Sequence, residues 1–137
     1  MCGINDGEGT VMIKRMMGVV LMVGAIVPGV QAKESAAYAA CMKTAQTTVS
    51  MNVCNNDEIA REDKRLNQAY KKAMGALGPL QRDKLRATQR VWIKYIDSNC
   101  DFYYTLTGGT LDILNGGGCR LSMTSARADE LEALQLP

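Results

Sequence analysis

The sequence predicts an all-α fold, a small helical bundle built on an antiparallel αα-hairpin and stapled by two disulfides. Three observations predict this class. Apolar residues recur at helical spacing in two long segments, a Gly-Pro pair separates those segments, and four cysteines follow an N-terminal export signal. No segment shows the alternation of apolar and polar residues that indicates a strand.

The first 32 residues have the composition of a secretory signal peptide. Lys14 and Arg15 precede an unbroken apolar run, MMGVVLMVGAIV, and the small-residue ending VQA follows at 30–32. A membrane span takes about 20 apolar residues, so this run is too short, and a buried core helix is the alternative interpretation. We therefore predict cleavage after Ala32. The product, residues 33–137, would be an exported domain, periplasmic or secreted, with no stable membrane anchor.

Charge and composition exclude several function classes. The chain has 16 basic and 14 acidic residues, and two of each lie in the first 32, so the predicted mature domain keeps a net charge of +2. This balance gives no support to a nucleic-acid partner or an anionic membrane surface. The chain contains no His, which removes the usual general base and the commonest metal ligand. We expect neither an enzyme nor a cofactor or metal site.

The mature part of the chain has four cysteines, at 41, 54, 100 and 119. An even number in a small exported domain indicates two disulfides, and zinc is disfavoured because no C-x-x-C pair is present. Cys41 and Cys54 flank a candidate turn, and Cys100 and Cys119 flank a Gly-rich segment, so we predict these two local pairs. In a single helix Cys41 and Cys54 would lie about 20 Å apart, so the chain must fold back between them.

Two long helices form the predicted hairpin. The first is capped by Thr47 or Thr48, and a break at Asn55 remains an alternative because Asn55 and Glu58 have capping-box spacing. Its apolar stripe consists of Ile59, Leu66, Tyr70, Ala73 and Leu77. Gly78 and Pro79 end this helix. The second helix is predicted over residues 80–100, with an inner face of Leu85, Gln89, Trp92 and Ile96.

The remainder of the chain is predicted to be a loop and a last helix. One glycine pair, at 108–109, and one glycine triplet, at 116–118, lie within residues 101–118, which predicts a loop. The last helix is expected to begin at Thr124, and its inner face is expected to carry Ala126, Arg127, Leu131 and Leu134.

Polar residues accompany the apolar stripes of both long helices. Asp63, Asn67 and Tyr70 lie on or beside the first stripe, and Gln89 and Trp92 lie on the second. Amide side chains can pair between helices, so a satisfied polar layer in the core is preferred to a binding site. Trp92 is predicted to be a core residue. No second carboxylate is spaced to pair with Asp63, so glycosidase chemistry has no support.

These residues also carry a family resemblance. The ordered pattern C-x12-C, D-x2-LN-x2-Y, Q-x2-W-x4-D-x2-C, GG, C, T-x2-R-x3-L resembles the LprI N-terminal domain family, named after a mycobacterial lysozyme inhibitor. The matching non-cysteine positions are Asp63, Leu66, Asn67, Tyr70, Gln89, Trp92, Asp97, Gly108, Gly109, Thr124, Arg127 and Leu131. Ile96 departs from the pattern, because the family usually has Arg before that Asp.

The resemblance implies an exported, helical, disulfide-bonded binding module whose partner is a lysozyme or another cell-wall hydrolase. The alternative is a structural or interaction domain of the envelope with no inhibitory role. C-type lysozymes are strongly basic, so an acidic surface on an inhibitor favours association with them. Because the net charge of this chain is +2, such a surface would have to be a local patch.

The candidate partner-binding loop carries Phe102, Tyr103, Tyr104, Gly108 and Gly109. Aromatic residues dominate interface hot spots, and loops on rigid scaffolds commonly bind partners. The alternative is that the apolar residues of this segment fold back over the end of the core.

Overall fold

A computed structural model describes residues 34–134, and within this range the chain is entirely helical apart from its turns. The helices are α1 (Ala36–Thr44), α2 (Thr48–Ala76), α3 (Pro79–Tyr103) and α4 (Asp112–Glu132), and no strand occurs in the described range. The predicted all-α class is confirmed. The predicted signal peptide lies outside the described residues. Among residues 34–134, no helix is long and apolar enough to cross a membrane.

α2 is one continuous helix, which decides between the two alternatives for its start. The Thr47 side chain accepts a hydrogen bond from Ser50 N, and Ser50 Oγ accepts one from Thr47 N, which is a reciprocal capping box. The alternative, a break at Asn55, is absent. Asn55 and Glu58 are buried inside α2, where they receive hydrogen bonds from α1 and its cap instead of starting a helix.

α1 was not predicted, and it is held against α2 by polar contacts and one disulfide. Ser35 caps α1 and also donates to the Glu58 carboxylate from N at 3.0 Å and from Oγ at 2.6 Å. Tyr38 Oη donates to Asn55 Oδ1 at 2.8 Å. The Cys41–Cys54 disulfide joins the two helices with Cα atoms 5.7 Å apart, so the predicted pair and the predicted fold-back are both confirmed.

α4 packs against both α2 and α3 and organises the bundle. It runs parallel to α2, because Gly117 lies near Asn55 and Asp129 contacts Arg65. It runs antiparallel to α3, because the second predicted disulfide, Cys100–Cys119, is present at one end and Gln89 meets Arg127 at the other. α2 and α3 are therefore antiparallel across the Gly-Pro turn, as predicted.

The prediction of a loop over residues 101–118 is wrong at both ends. α3 continues to Tyr103, and α4 begins at Asp112, twelve residues before the predicted start at Thr124. Gly116 and Gly117 are buried helical residues at close approaches between elements. A Cβ on Gly116 would overlap the Tyr104 ring, and one on Gly117 would lie 3.2 Å from the Asn52 and Asn55 side chains. These glycines serve packing and do not break the helix.

The core is small and lies between α2 and α4. It consists of Leu66, Ala69, Ala128 and Leu131, against which Tyr70, Leu85 and Trp92 pack while half-buried. The predicted inner face of the last helix is only partly correct. Leu131 is buried and Arg127 is half-buried, but Ala126 and Leu134 are exposed. The rest of that face is formed by the buried residues Thr124, Ser125 and Ala128.

Arg65 joins α2 to α4 through several ion pairs. Its guanidinium contacts the Glu62 carboxylate within α2 at 2.6 Å and the carboxylates of Asp129 and Glu132 on α4 at 2.7 and 2.8 Å. It also donates to Ser125 O and Oγ at 3.2 Å. Burial alone would lower the pKa of Arg65, but the carboxylates outweigh burial and raise it above its usual value.

Candidate functional site

The connection between α3 and α4 is a short, ordered loop of residues 104–111. The carboxylate of Asp112, the first residue of α4, holds it in place. Thr107 N donates to both carboxylate oxygens at 3.0 Å, Thr107 Oγ1 donates at 2.8 Å, and Gly108 N donates at 2.7 Å. Gly108 has φ +71°, a conformation that favours glycine, so the tight return of the chain depends on this residue. Gly109 N donates to Thr107 Oγ1 at 3.2 Å and completes the turn.

Asp112 is itself only 4% exposed, so its carboxylate depends on these donors. Burial alone would raise the pKa of Asp112, but the hydrogen bonds from Thr107, Gly108 and Asn115 outweigh it. The pKa of Asp112 is therefore lowered, and the carboxylate is ionised at neutral pH.

Two further contacts fix the ends of the loop. The Cys100–Cys119 disulfide links the last turns of α3 to the first turns of α4, with Cα atoms 5.5 Å apart. The ring of Tyr104 rests on the backbone of α4 at Gly116. Tyr104, predicted as a partner-binding residue, thus anchors the loop to α4.

Apolar side chains project from this end of the bundle. The tip surface, as we call it, consists of Phe102, Tyr103, Leu106, Leu111 and Ile113, each 37–60% exposed. Phe102 and Tyr103 pack edge to face, with ring centroids 5.5 Å apart. The interpretation that the apolar residues of this segment fold back over the core is therefore wrong for these five, whereas Tyr104 packs on α4 and Leu114 is half-buried.

A hollow of about 490 Å³ adjoins the tip surface between α3 and α4. Tyr103 and Leu106 contribute to its wall, together with Leu114 and Met123 of α4. The exposed apolar side chains thus border a concavity in which a partner's side chain would be partly enclosed.

The charge of this region differs from that of the whole chain. Residues 95–119 contain no Lys or Arg, whereas Asp97, Asp101 and Asp112 are acidic. Asp97 pairs with Arg120 at 2.9 Å, and Asp112 is buried under the loop. Asp101, next to Phe102, is exposed. Residues 95–119 therefore carry no Lys or Arg and one exposed carboxylate without an ion-pair partner among the described residues, on a chain whose net charge is +2.

The residues that carry the family pattern do not form one buried layer. Leu66 and Gln89 are buried, and Tyr70, Trp92 and Arg127 are half-buried, but Asp63, Asn67 and Asp97 are exposed. The predicted polar layer in the core is thus wrong for Asp63 and Asn67. Asn67 donates to Asp63, its neighbour one turn back on α2, and Gln89 accepts from Arg127 on α4, so the two polar groups do not pair across the hairpin.

Ile96, the position at which the sequence departs from the expected pattern, is 3% exposed. Apolar burial accounts for an isoleucine at this position. Residues 34–134 contain no cluster of His, Cys, Asp or Glu side chains arranged to hold a metal ion.

The described part of the chain is thus a small, all-α, disulfide-bonded domain with exposed apolar side chains at one end. The family described as lysozyme inhibitor LprI matches residues 40–131, and the chain belongs to this family. It is also 25% identical to an uncharacterized protein of Rhizobium meliloti (strain 1021), over 69% of this chain and 77% of that protein. No solved structure matches the chain.

Proposed function

We propose that this chain is an exported binding module that inhibits a lysozyme or a related cell-wall hydrolase through the tip surface. The observation that carries the proposal is the exposure of Phe102 and Tyr103 at the end of α3 and of Leu106 on the adjoining loop, which the Asp112 carboxylate holds. The name of the family to which the chain belongs supports the choice of partner. On this account the domain acts by occupying a partner and not as an enzyme.

The order of the loop favours tight docking. Binding costs free energy when side chains and loops must be immobilised, and a loop already fixed at both ends avoids much of that cost. Here Cys100–Cys119 ties the base, and Asp112 holds the turn at Thr107 and Gly108. Aromatic residues presented on such a scaffold are the usual anchors of an interface.

The local charge favours a basic partner. C-type lysozymes are strongly basic, and a surface without Lys or Arg avoids repulsion when it approaches one. Exposed Asp101 adds attraction at the edge of the tip surface. Because screening weakens interactions between exposed charges, the association rate should fall as salt is added.

Export is part of the proposal and has its own test. The order of basic residues, apolar run and VQA in residues 14–32 supports cleavage near Ala32. Mass spectrometry of the mature protein should find Lys33 or a near neighbour at the N-terminus. A mature chain that retains residues 16–27 would contradict this part of the account.

Isothermal titration calorimetry with a c-type lysozyme tests the binding surface. The Phe102→Ser/Leu106→Ser variant should lose binding, because it removes two exposed anchors without touching the Tyr104–Gly116 contact. Val49→Ser/Val53→Ser is the matched control, because Val49 and Val53 are also exposed, at 69% and 53%, but lie on α2. The control should bind as the wild type does.

The absence of wild-type binding would leave the structural or interaction role in the envelope as the function. Equal loss of binding in both variants would assign the effect to general surface hydrophobicity and would contradict the tip surface as the site.

A further inference from the structure

A groove between α2 and α3, separate from the tip surface, is lined mainly by polar side chains. Its volume is about 290 Å³, and its lining residues are Asn67, Tyr70, Arg86, Gln89, Arg90 and Ile93. None of these is acidic. Asn67, Tyr70 and Gln89 also belong to the sequence pattern that carries the family resemblance.

Gln89, most of whose surface is buried, presents a solvent-accessible hydrogen-bond donor to the groove. The residue is only 9% exposed, and its Oε1 accepts from Arg127 Nε at 3.1 Å. This bond fixes the orientation of the amide. Within residues 34–134, Gln89 Nε2 donates to no protein group, although the residue lines the groove. The amide therefore has two N–H groups free for an acceptor from outside the chain.

Two arginines stand one helical turn apart on α3 at the same groove. Arg86 donates from Nη1 to exposed Asp83 at 2.7 Å, which leaves its other N–H groups free. In the described part of the chain, Arg90 forms no ion pair. Guanidinium groups bind carboxylates through two parallel hydrogen bonds, so the two positive charges favour an anionic ligand.

Asn67 adds an acceptor on the α2 side of the groove. Its Nδ2 donates to Asp63 O at 2.8 Å and to Asp63 Oδ2 at 3.0 Å, so the amide orientation is fixed and Oδ1 is left as an acceptor. A ligand that matches these donors and this acceptor has a carboxylate close to an N–H. The Tyr70 ring and Ile93 supply apolar contact beside them.

We propose that this groove binds the C-terminal carboxylate of a peptide. Arg86, Arg90 and Gln89 Nε2 hold the carboxylate, and Asn67 Oδ1 accepts the N–H of the ligand's last residue. The groove shares no lining residue with the tip surface. Peptide binding in the groove can therefore be tested independently of lysozyme inhibition.

NMR titration of ¹⁵N-labelled mature protein tests this assignment. N-acetyl-alanyl-alanine should shift the side-chain amide signals of Gln89 and Asn67 saturably, whereas its C-terminal amide and inorganic phosphate should not. Arg90→Gln should weaken the response roughly tenfold, because it removes a charge-assisted hydrogen bond. Arg82→Gln is the matched control, because Arg82 is an exposed arginine of α3 outside the groove.

Three results would overturn the proposal. One is the absence of a saturable shift with the free acid. The second is an equal response to the peptide amide or to phosphate, which would remove the assignment to a peptide terminus. The third is equal weakening by Arg82→Gln and Arg90→Gln, which would reduce the effect to diffuse positive charge.

Discussion

The ring of Tyr104 occupies the space that a side chain at Gly116 would need. This contact joins the end of α3 to the first turns of α4 and sets where the loop between them leaves the bundle. A residue with only a hydrogen for its side chain lets the ring approach the helix backbone closely. The contact therefore connects a glycine inside a helix to the presentation of the tip surface.

Substitutions at two glycines of α4 separate packing from helix propensity. Gly116→Ala should destabilise the domain by about 1–3 kcal/mol, because the methyl group forces Tyr104 out of its place. Gly118→Ala is the control, because nothing lies within 4 Å of its Cβ position, and it should stabilise the domain by up to about 1 kcal/mol. Urea denaturation measures both changes. Equal effects at the two positions would argue against the Tyr104 contact.

Arg65 should matter more to stability than other arginines. Arg65→Met breaks ion pairs between α2 and α4 and leaves their partly buried carboxylates unpaired, so it should cost about 1–3 kcal/mol. Arg86→Met breaks only the exposed pair with Asp83 and should cost less than about 0.5 kcal/mol. Chemical denaturation of the two variants compares them. Similar midpoints would contradict the role of Arg65 in joining α2 to α4.

Stability should fall on acidification through two carboxylates. Burial would raise the pKa of Glu58, but the hydrogen bonds from Ser35 and Arg61 outweigh burial and lower that pKa. The pKa of Asp112 is lowered in the same way by its own hydrogen-bond donors. A lowered folded-state pKa gives stability that is present above the unfolded value, about 3.9–4.3, and is lost as pH falls through the folded value.

Asp112→Asn tests this pH dependence at one site. It should lower the melting temperature at pH 7 and reduce the loss of stability below about pH 4, so that variant and wild type converge in acid. Thermal melts followed by circular dichroism across this range give the comparison. If the variant lost as much stability below about pH 4 as the wild type does, the Asp112 carboxylate would not hold the loop.

Removal of either disulfide should destabilise the domain by a similar amount. The bridged residues are 13 and 19 positions apart, and loops of this size correspond to roughly 3 kcal/mol each in the chain-entropy model. Cys41→Ala/Cys54→Ala and Cys100→Ala/Cys119→Ala can be compared by denaturation without reductant. Only the second pair of substitutions should also disturb the tip surface. Denaturation curves identical to the wild type would contradict this prediction.

Local signals in the sequence were sufficient for much of the fold. The apolar stripe through Leu66 and Ala73 predicted α2, and the Gly78-Pro79 pair correctly marked its end. The disulfide pairs followed from the positions of the cysteines relative to turns. In these cases the determining interactions lie close together in the chain.

The errors arose where contacts between distant residues overrode local preference. Three consecutive glycines usually indicate a loop, but Gly116 and Gly117 are helical because Tyr104 and Asn55 approach α4 closely. The short helix α1 has no apolar stripe and depends on Glu58, 23 residues from Ser35. Of the predicted loop residues, Phe102 and Tyr103 lie in the last turn of α3. Tyr103 and Tyr104 are exposed to nearly the same extent, at 37% and 36%, and only the structure showed that the Tyr104 ring rests against Gly116.

An inhibition titration with a c-type lysozyme tests the central claim most directly. Lysis of a bacterial cell-wall suspension is followed while the mature domain is added, beside the Phe102→Ser/Leu106→Ser variant and the Val49→Ser/Val53→Ser control. We expect the wild type and the control to inhibit lysis saturably at micromolar concentration, and we expect the tip variant to inhibit weakly or not at all. The absence of inhibition by the folded wild type, or full inhibition by the folded tip variant, would contradict the account.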